Sequence, residues 1–163
     1  MIIRDALEAD LPAIIDIYNA ATATRTSTAL LGPVTVEERL PWFHRHTADQ
    51  FPLWVADVSG QIVGWLSFHE FIRRPAYFGS AEISVYVDEN FRRRGFGREL
   101  LHRAVADAPR LGARVLVGYI LGHNDASLAL FEQAGFQRWG RLPRIARFEE
   151  SERDLVIVGR HVG

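Results

Sequence analysis

The stretch that decides the fold is residues 85–98, which reads VYVDENFRRRGFGR. An apolar run with β-branched residues passes through a basic, glycine-containing turn into a segment whose Leu and Ala residues recur at helical spacing from Gly97 onward. A helix N-terminus presents unpaired backbone N–H groups and partial positive charge, and glycine lets a ligand approach the backbone closely. The stretch therefore predicts a strand–turn–helix unit that binds a phosphate or pyrophosphate, the alternative being a solvated basic turn.

Hydrophobic periodicity and turn signals predict further elements on both sides of this unit. The predicted order is strand, two helices, three strands, helix, strand, helix and a final hairpin, over residues 1–163 as a single domain. This order is typical of an α/β fold with a mixed, mostly antiparallel sheet flanked by helices. The segments are a strand at 1–4, a helix at 7–18, a helix after the capping box Thr35–Glu38, strands at 53–58, 62–68, 81–87 and 115–120, helices at 97–108 and 125–134, and a hairpin of 147–148 and 155–160.

The composition excludes several classes of protein. The 163 residues include no Cys, which excludes a disulfide scaffold, a Cys-ligated metal site and a covalent cysteine intermediate. The net charge of −1 argues against a general binder of nucleic acid or of membrane surfaces, although all 19 basic residues are Arg. The six His show no metal-ligand spacing, and the four Trp are expected in the core or at a subunit contact. The start shows no signal peptide, so we expect a cytoplasmic protein.

Two motifs resemble the signatures of the GNAT N-acetyltransferases. Residues 92–97, RRRGFG, resemble the pattern Q/R-x-x-G-x-G/A, and residues 124–136, NDASLALFEQAGF, resemble the element that closes the cofactor site in that superfamily. Within it, the chain is most similar to the phosphinothricin and methionine sulfoximine acetyltransferases. The stretches that carry this similarity are Ile17-Tyr18-Asn19, Trp42-Phe43, Ala81–Val87 and Arg153-Asp154-Leu155.

The resemblance implies acetyl-coenzyme A as cosubstrate and no metal. Coenzyme A would lie in a V-shaped opening between the strand that ends near Val87 and the strand that begins near Val115. Backbone groups of the first strand would pair with the pantetheine arm, the turn amides would hold the pyrophosphate, and the second motif would fix the arm near the thioester. The implied cofactor residues are Val85, Tyr86, Val87, Arg92, Arg93, Arg94, Gly95, Phe96, Gly97, Arg98, Asn124, Ser127 and Phe131.

Glu82 is the candidate general base, since it is the one acid within the apolar strand 81–87. Strand alternation puts it on one face with Ser84 and Tyr86, and partial burial there would raise its pKa toward a useful value. The alternative is an exposed glutamate on the solvent side of the strand. The resemblance further implies a backbone N–H near Val85 for the oxyanion. Many GNAT enzymes have Tyr where this chain has Phe131, so Tyr119, His123 or solvent would have to protonate the leaving thiolate.

The family resemblance assigns the acceptor site to the loop that precedes the strand of residues 81–87. Arg73, Arg74 and Tyr77 lie there, and a guanidinium suits an acceptor carboxylate by bidentate pairing, the alternative being a solvated basic loop. Thr28 belongs to a Thr-rich stretch that resembles the loop over the acceptor pocket, but the residues that follow lack the aromatic or acidic residue usual there. A homodimer is expected by resemblance.

These observations predict acetyl transfer from acetyl-coenzyme A to the α-amine of a small amino-acid-like acceptor by direct attack. One alternative is acetylation of another amine, such as a protein N-terminus or an antibiotic. The other is a non-catalytic acyl-CoA-binding module, which Phe131 leaves open.

Overall fold

One seven-stranded sheet runs through the computed structural model, which describes all 163 residues. The strand order is β1-β2-β3-β4-β5-β7-β6, and every neighbouring pair is antiparallel except β4–β5. The predicted α/β class with a mixed, mostly antiparallel sheet is therefore confirmed. None of the four α-helices is long and apolar enough to span a membrane. The elements are β1 Ile2–Asp5, α1 Leu11–Ala23, α2 Val36–His44, β2 Leu53–Val58, β3 Gln61–Glu70, β4 Ser80–Val87, α3 Phe96–Asp107, β5 Val115–Leu121, α4 Asp125–Gln133, β6 Gln137–Phe148 and β7 Ser151–His161.

The sheet splits in its middle, between β4 and β5. These two strands are parallel and joined by a crossover through α3, but they pair only from Ser80 with Val115 to Glu82 with Val117. Beyond that point β4 continues to Val87 beside β3 and β5 continues to Leu121 beside β7. Each strand then leads into a helix, α3 or α4, so both helices begin next to the opening.

The two faces of the sheet carry separate hydrophobic cores, as strand alternation requires. The larger core has 21 buried residues and includes Leu100, Leu101 and Ala104 of α3. The smaller has seven, among them Ile14 and Ile15 of α1. In this way α3 and α4 cover one face, while α1 and α2 pack on the other.

The start of α2 is fixed by the predicted capping box. The Thr35 side chain accepts a hydrogen bond from the Glu38 backbone N–H at 3.2 Å, and the Glu38 carboxylate accepts one from the Thr35 N–H at 2.8 Å. Two of the free N–H groups at this helix end are thereby satisfied. Pro41 lies inside the helix, which nevertheless continues to His44.

The predicted boundaries of the final hairpin are wrong. The sequence indicated strands at 147–148 and 155–160, whereas β6 begins ten residues earlier, at Gln137, and β7 spans Ser151–His161. Most β6 residues are exposed on both faces, so the strand has no apolar alternation to reveal it. It also contains Gly140 and Pro143, which by themselves favour loops.

Candidate active site

A cavity of about 960 Å³ lies beside the end of β4, where that strand no longer pairs with β5. Its walls come from the end of β4, the basic turn, the first turn of α3, one side of α4, and the end of α1 with the residues that follow it. The predicted cofactor residues that line it are Val85, Tyr86, Val87, Arg92, Arg93, Gly95, Phe96, Gly97, Arg98, Asn124 and Ser127.

The basic turn ends at Gly95, the N-cap of α3, whose φ of +88° is a conformation that glycine adopts without strain. This left-handed residue lets the chain enter α3 directly beside the cavity. Arg93 and Arg98 lie in the cavity wall, but Arg94 does not. Its guanidinium instead packs on the rings of Phe91 and Phe96, at 5.0 and 5.6 Å from their centroids.

A second helix N-terminus faces the same cavity. Asn124 is the N-cap of α4, and its side-chain oxygen accepts a hydrogen bond from the Ser127 N–H at 3.1 Å. This bond satisfies one free N–H of the helix and fixes the Asn124 side chain, which is buried. Asn124 therefore has a structural role in capping α4 as well as a place in the cavity wall.

Phe131 lies behind the cavity and not in its lining. Its ring is buried and packs edge-on against Phe136, with ring centroids 5.0 Å apart. It also occupies the space above Gly118, where an added Cβ would come within 2.9 Å of the ring. Phe131 lies on the face of α4 that packs into the core. Its ring therefore does not reach the cavity, where the contact with the cofactor arm was predicted.

A smaller cavity of about 180 Å³ lies on the α1–α2 side of the sheet. Glu82, Ser84 and Tyr86 of β4 all line it, as strand alternation predicted, and Tyr86 borders both cavities. The other lining residues, Ile14, Ile15, Tyr18, Arg39, Trp42, Trp65, Ser67 and His69, come from α1, α2 and β3.

Glu82 is half-buried in this wall and forms no ion pair or side-chain hydrogen bond within the chain. Burial raises the pKa of its carboxyl, because the charged form loses hydration that no cation replaces. It sits at the last β4–β5 pair, where the sheet begins to split. The candidate base therefore lines the smaller cavity at the point where β4 separates from β5.

Tyr86 separates the cavities and is held on both sides. Its ring stacks on Trp65 with centroids 4.6 Å apart, and its hydroxyl donates to the Ser27 carbonyl at 3.4 Å. Burial raises the pKa of the Tyr86 phenol, so the group is neutral. Thr28 is buried next to this residue, with its hydroxyl 2.9 Å from that of Tyr18, and supports the wall without lining either cavity.

The loop residues predicted to bind the acceptor lie outside both cavities in the single chain. The Arg73 side chain is 90% exposed and forms an ion pair with Glu70 at 3.8 Å. Arg74 is exposed as well, and Tyr77 is 45% exposed. The structure therefore does not bring these three side chains to Glu82.

The sequence analysis missed the residues of α2 and β3 that complete the smaller cavity. Trp42 and Trp65 were expected only in the core or at a subunit contact, yet both line this cavity, together with Arg39. Arg39 and Trp42 are three residues apart on a helix and so share a face, which is a signal that the sequence did contain. Which cavity that face borders is decided by long-range packing.

Two histidines adjoin this cavity. The rings of His46 and His69 pack edge-on, with centroids 4.9 Å apart, and the His69 Nε2 lies 3.0 Å from the Ser67 hydroxyl. Burial, together with the positive charges of His46, Arg45 and Arg39, lowers the pKa of His69 to about 4. His69 is therefore an uncharged ring at neutral pH.

These features together define a class of protein. A sheet split between two parallel strands, with helix N-termini at its rim and an acid beside it, is the site of an acyl-CoA-dependent N-acyltransferase. The chain belongs to the acetyltransferase (GNAT) family, whose model matches residues 13–136. It is an acetyl-CoA-dependent N-acetyltransferase, and the predicted superfamily and cosubstrate are confirmed.

Particular relatives resemble the chain over nearly its whole length. YwnH of Bacillus subtilis (strain 168), named for phosphinothricin acetyltransferase activity, is 46% identical over 163 residues, 99% of either chain. The L-methionine sulfoximine/L-methionine sulfone acetyltransferase of Pseudomonas aeruginosa PAO1 is 34% identical over 89% of this chain and 85% of its own. The crystal structure of a phosphinothricin acetyltransferase from Sinorhizobium meliloti with acetyl-CoA superposes with a TM-score of 0.93 at 29% identity, covering 99% and 88% of the two chains.

The larger cavity fits acetyl-CoA in three respects. The end of β4 is unpaired on its β5 side, so its backbone groups are free for an extended pantetheine arm. The N-termini of α3 and α4 and the guanidinium groups of Arg92, Arg93 and Arg98 suit the phosphates. The cavity then leads past Tyr86 toward Glu82.

Proposed function

We propose that this enzyme acetylates the α-amine of a small amino-acid-like acceptor of the phosphinothricin or methionine sulfoximine type. The observation that carries the proposal is the small cavity beside Glu82, lined by aromatic rings and one arginine. Its volume of about 180 Å³ can hold a small amino-acid-like molecule. The similarity to enzymes named for phosphinothricin and methionine sulfoximine supports the same class of acceptor.

Acetyl-CoA supplies the thioester, and the chain supplies the acid–base groups and the geometry. Glu82 accepts a proton from the ammonium form of the acceptor, directly or through a water, and so frees the nitrogen lone pair. The nitrogen then attacks the acetyl carbon to give a tetrahedral adduct. This adduct loses a second proton from nitrogen to solvent, and its carbon–sulfur bond breaks with the electron pair leaving on sulfur. The backbone N–H of Val85 stabilises the oxygen that becomes negative in between.

No tyrosine hydroxyl stands at position 131 to protonate the departing thiolate, since Phe131 is buried in the core. A thiolate is a good leaving group, so solvent protonation is sufficient in this mechanism. Tyr119 is the side-chain alternative; its ring is 39% exposed, and burial together with the Glu82 charge raises the pKa of its phenol. A Tyr119→Phe enzyme with unchanged kcat would exclude that alternative.

The experiment is an acceptor screen that follows release of free coenzyme A thiol, beginning with phosphinothricin, L-methionine sulfoximine and L-methionine sulfone. We expect turnover with wild type and a loss of about 10²- to 10⁴-fold in kcat for Glu82→Gln, the range of a removed general base. Arg110→Gln, an exposed change in the turn after α3, is the control and should leave kcat unchanged.

Three outcomes of this screen contradict parts of the proposal. Unchanged turnover in Glu82→Gln would remove Glu82 as the base. Calorimetric binding of acetyl-CoA without turnover of any acceptor would favour the non-catalytic acyl-CoA-binding module. Turnover with peptides or antibiotics in place of amino acids would identify another amine as the substrate.

We further propose that the enzyme is a homodimer in which the loop 71–79 takes part in the contact. The apolar side chains of Ile72, Tyr77 and Phe78 are 40%, 45% and 59% exposed in the single chain, which supports an interface there. In that arrangement Arg73, Arg74 and Tyr77 approach the acceptor site of the assembly. Sedimentation equilibrium of wild type and Phe78→Glu tests this, since a monomeric wild type contradicts it.

A further inference from the structure

Arg39 is the only arginine that lines the small cavity beside Glu82. It lies on α2 with its guanidinium carbon 4.9 Å from the ring centroid of Tyr18 and 5.5 Å from that of Trp42. Contacts of this kind between a cation and ring faces hold the guanidinium plane in place. They leave the N–H groups at its edge free to donate.

Nothing in the chain accepts from those N–H groups. Arg39 forms no ion pair within 4.0 Å and no side-chain hydrogen bond, although the side chain is half-buried. Other partly buried arginines do find acids: Arg4 pairs with Asp10 at 2.7 Å and with Asp57 at 3.1 Å. A fixed guanidinium without a partner in an aromatic pocket is a site for a planar, two-oxygen anion.

The cavity contains one acid, Glu82, which the proposed mechanism uses as the base. An α-amino acid carries an amine and a carboxylate on the same carbon. A cavity that presents one acid and one unpartnered guanidinium is complementary to that pair of groups. A simple amine would leave Arg39 without a counter-ion.

We infer that Arg39 binds the α-carboxylate of the acceptor while Glu82 receives its amine, which makes Arg39 a specificity-determining residue. The inference rests on the proposed function and moves the carboxylate contact from Arg73 and Arg74 to α2. In the single chain the Arg73 side chain is 90% exposed and already paired with Glu70. Its guanidinium is therefore neither buried at the site nor without a partner.

The test compares two ligands that differ only in this group, L-methionine sulfone and its carboxamide. Binding is followed by tryptophan fluorescence, because Trp42 and Trp65 line the cavity and respond without turnover. In Arg39→Gln we expect the Kd of the sulfone to rise roughly 10- to 100-fold, the loss of a charge-assisted pair. The Kd of the carboxamide should change less than about threefold, because it has no carboxylate to lose.

Matched variants separate a lost contact from a damaged fold. Arg39→Lys keeps the charge but loses the two-pronged donor, so its Kd for the sulfone should fall between those of wild type and Arg39→Gln. Arg110→Gln, which lines neither cavity, should leave both constants unchanged. A loss in Arg73→Gln equal to that in Arg39→Gln would overturn the inference.

Equal losses for the sulfone and its carboxamide in Arg39→Gln would also overturn it, as would a wild type that binds neither ligand. So would a large loss for phosphinothricin carboxamide, because Arg39 would then bind the side-chain phosphinate. A wild type that binds the sulfone through Arg39 but transfers no acetyl refutes the proposed function and supports this inference. The two failures are therefore distinguishable.

Discussion

At the scale of single residues, Glu82 determines how activity should depend on pH. The base must be ionised, and burial of the carboxyl raises its pKa above the ordinary value of 4.5. We therefore expect kcat/KM to fall as the pH is lowered, with a midpoint above 4.5. The measurement is a pH profile of thiol release with acetyl-CoA saturating. The residual activity of Glu82→Gln should not show this fall at low pH. A wild-type midpoint at or below 4.5 would contradict the role of Glu82 as general base.

His69 makes a residue-scale prediction about stability. Its pKa is about 4 in the folded chain against 6.5 for the free side chain, because the ring is buried beside His46 and near Arg45 and Arg39. The unfolded chain therefore takes up a proton at a higher pH than the folded chain. The contribution of neutral His69 is present above pH 6.5 and is lost as the pH falls toward 4.

We expect His69→Gln to lose less stability than wild type between pH 7 and pH 4. A shift of this size corresponds to about 3 kcal/mol at most, since one pKa unit is about 1.4 kcal/mol. Urea unfolding at a series of pH values measures the difference. His102→Gln, on the exposed side of α3, is the control, and parallel pH curves for wild type and His69→Gln would show that the ring titrates normally.

At the scale of elements, the N-terminus of α3 is expected to hold the pyrophosphate through some of its arginines and not others. Arg98 lies in the cavity wall, while Arg94 packs on Phe91 and Phe96. Arg98→Glu should weaken coenzyme A binding about tenfold or more, because it replaces a charge-assisted donor by a repelling acid. Arg94→Glu, four positions earlier in the same basic run, should weaken it less. Calorimetry with coenzyme A gives both constants, and equal losses would mean that only the overall charge of the turn matters.

Local patterns in the sequence predicted the elements around the cofactor cavity well. The strand of residues 81–87 was identified from its apolar alternation, α2 from its capping box, and the start of α3 from the turn glycines. The same patterns could not show that Arg94 would stack on two rings. Nor could they show that Phe131 would fill the space above Gly118, since that contact joins α4 to a strand.

The lining of the smaller cavity was harder to predict because it is assembled from distant parts of the chain. The prediction placed the acceptor arginine in the loop 71–79, where the resemblance suggested it. In the single chain the arginine that lines the same cavity as Glu82 is Arg39, although 43 positions separate them in sequence. Packing of α1 and α2 on one face of the sheet creates that proximity. No local sequence pattern predicts that these two residues share a cavity.

At the scale of the whole molecule, the two cavities meet along one strand, β4. The larger cavity lies in the split and the smaller on the α1–α2 side, and β4 borders both. Val85 and Val87 line the larger cavity and Glu82 the smaller, while Tyr86 lines both. In the proposed reaction, a single strand with alternating side chains would serve both substrates.

The same architecture predicts where coenzyme A should stabilise the molecule. Beyond Glu82 the β5-facing edge of β4 has no strand partner, so its free backbone groups are open to solvent until the pantetheine arm pairs with them. At 100 times its Kd, coenzyme A should add about 2.7 kcal/mol of stability, or roughly 5–10 °C in Tm for a chain of this size. Hydrogen exchange should slow most in Ser84–Val87 and in the first turns of α3 and α4. Exchange in β1 should change only by the global stabilisation, because that strand lies at the sheet edge away from the cavity. Protection confined to α1 and α2, with β4 unchanged, would place coenzyme A in the other cavity and contradict the assignment.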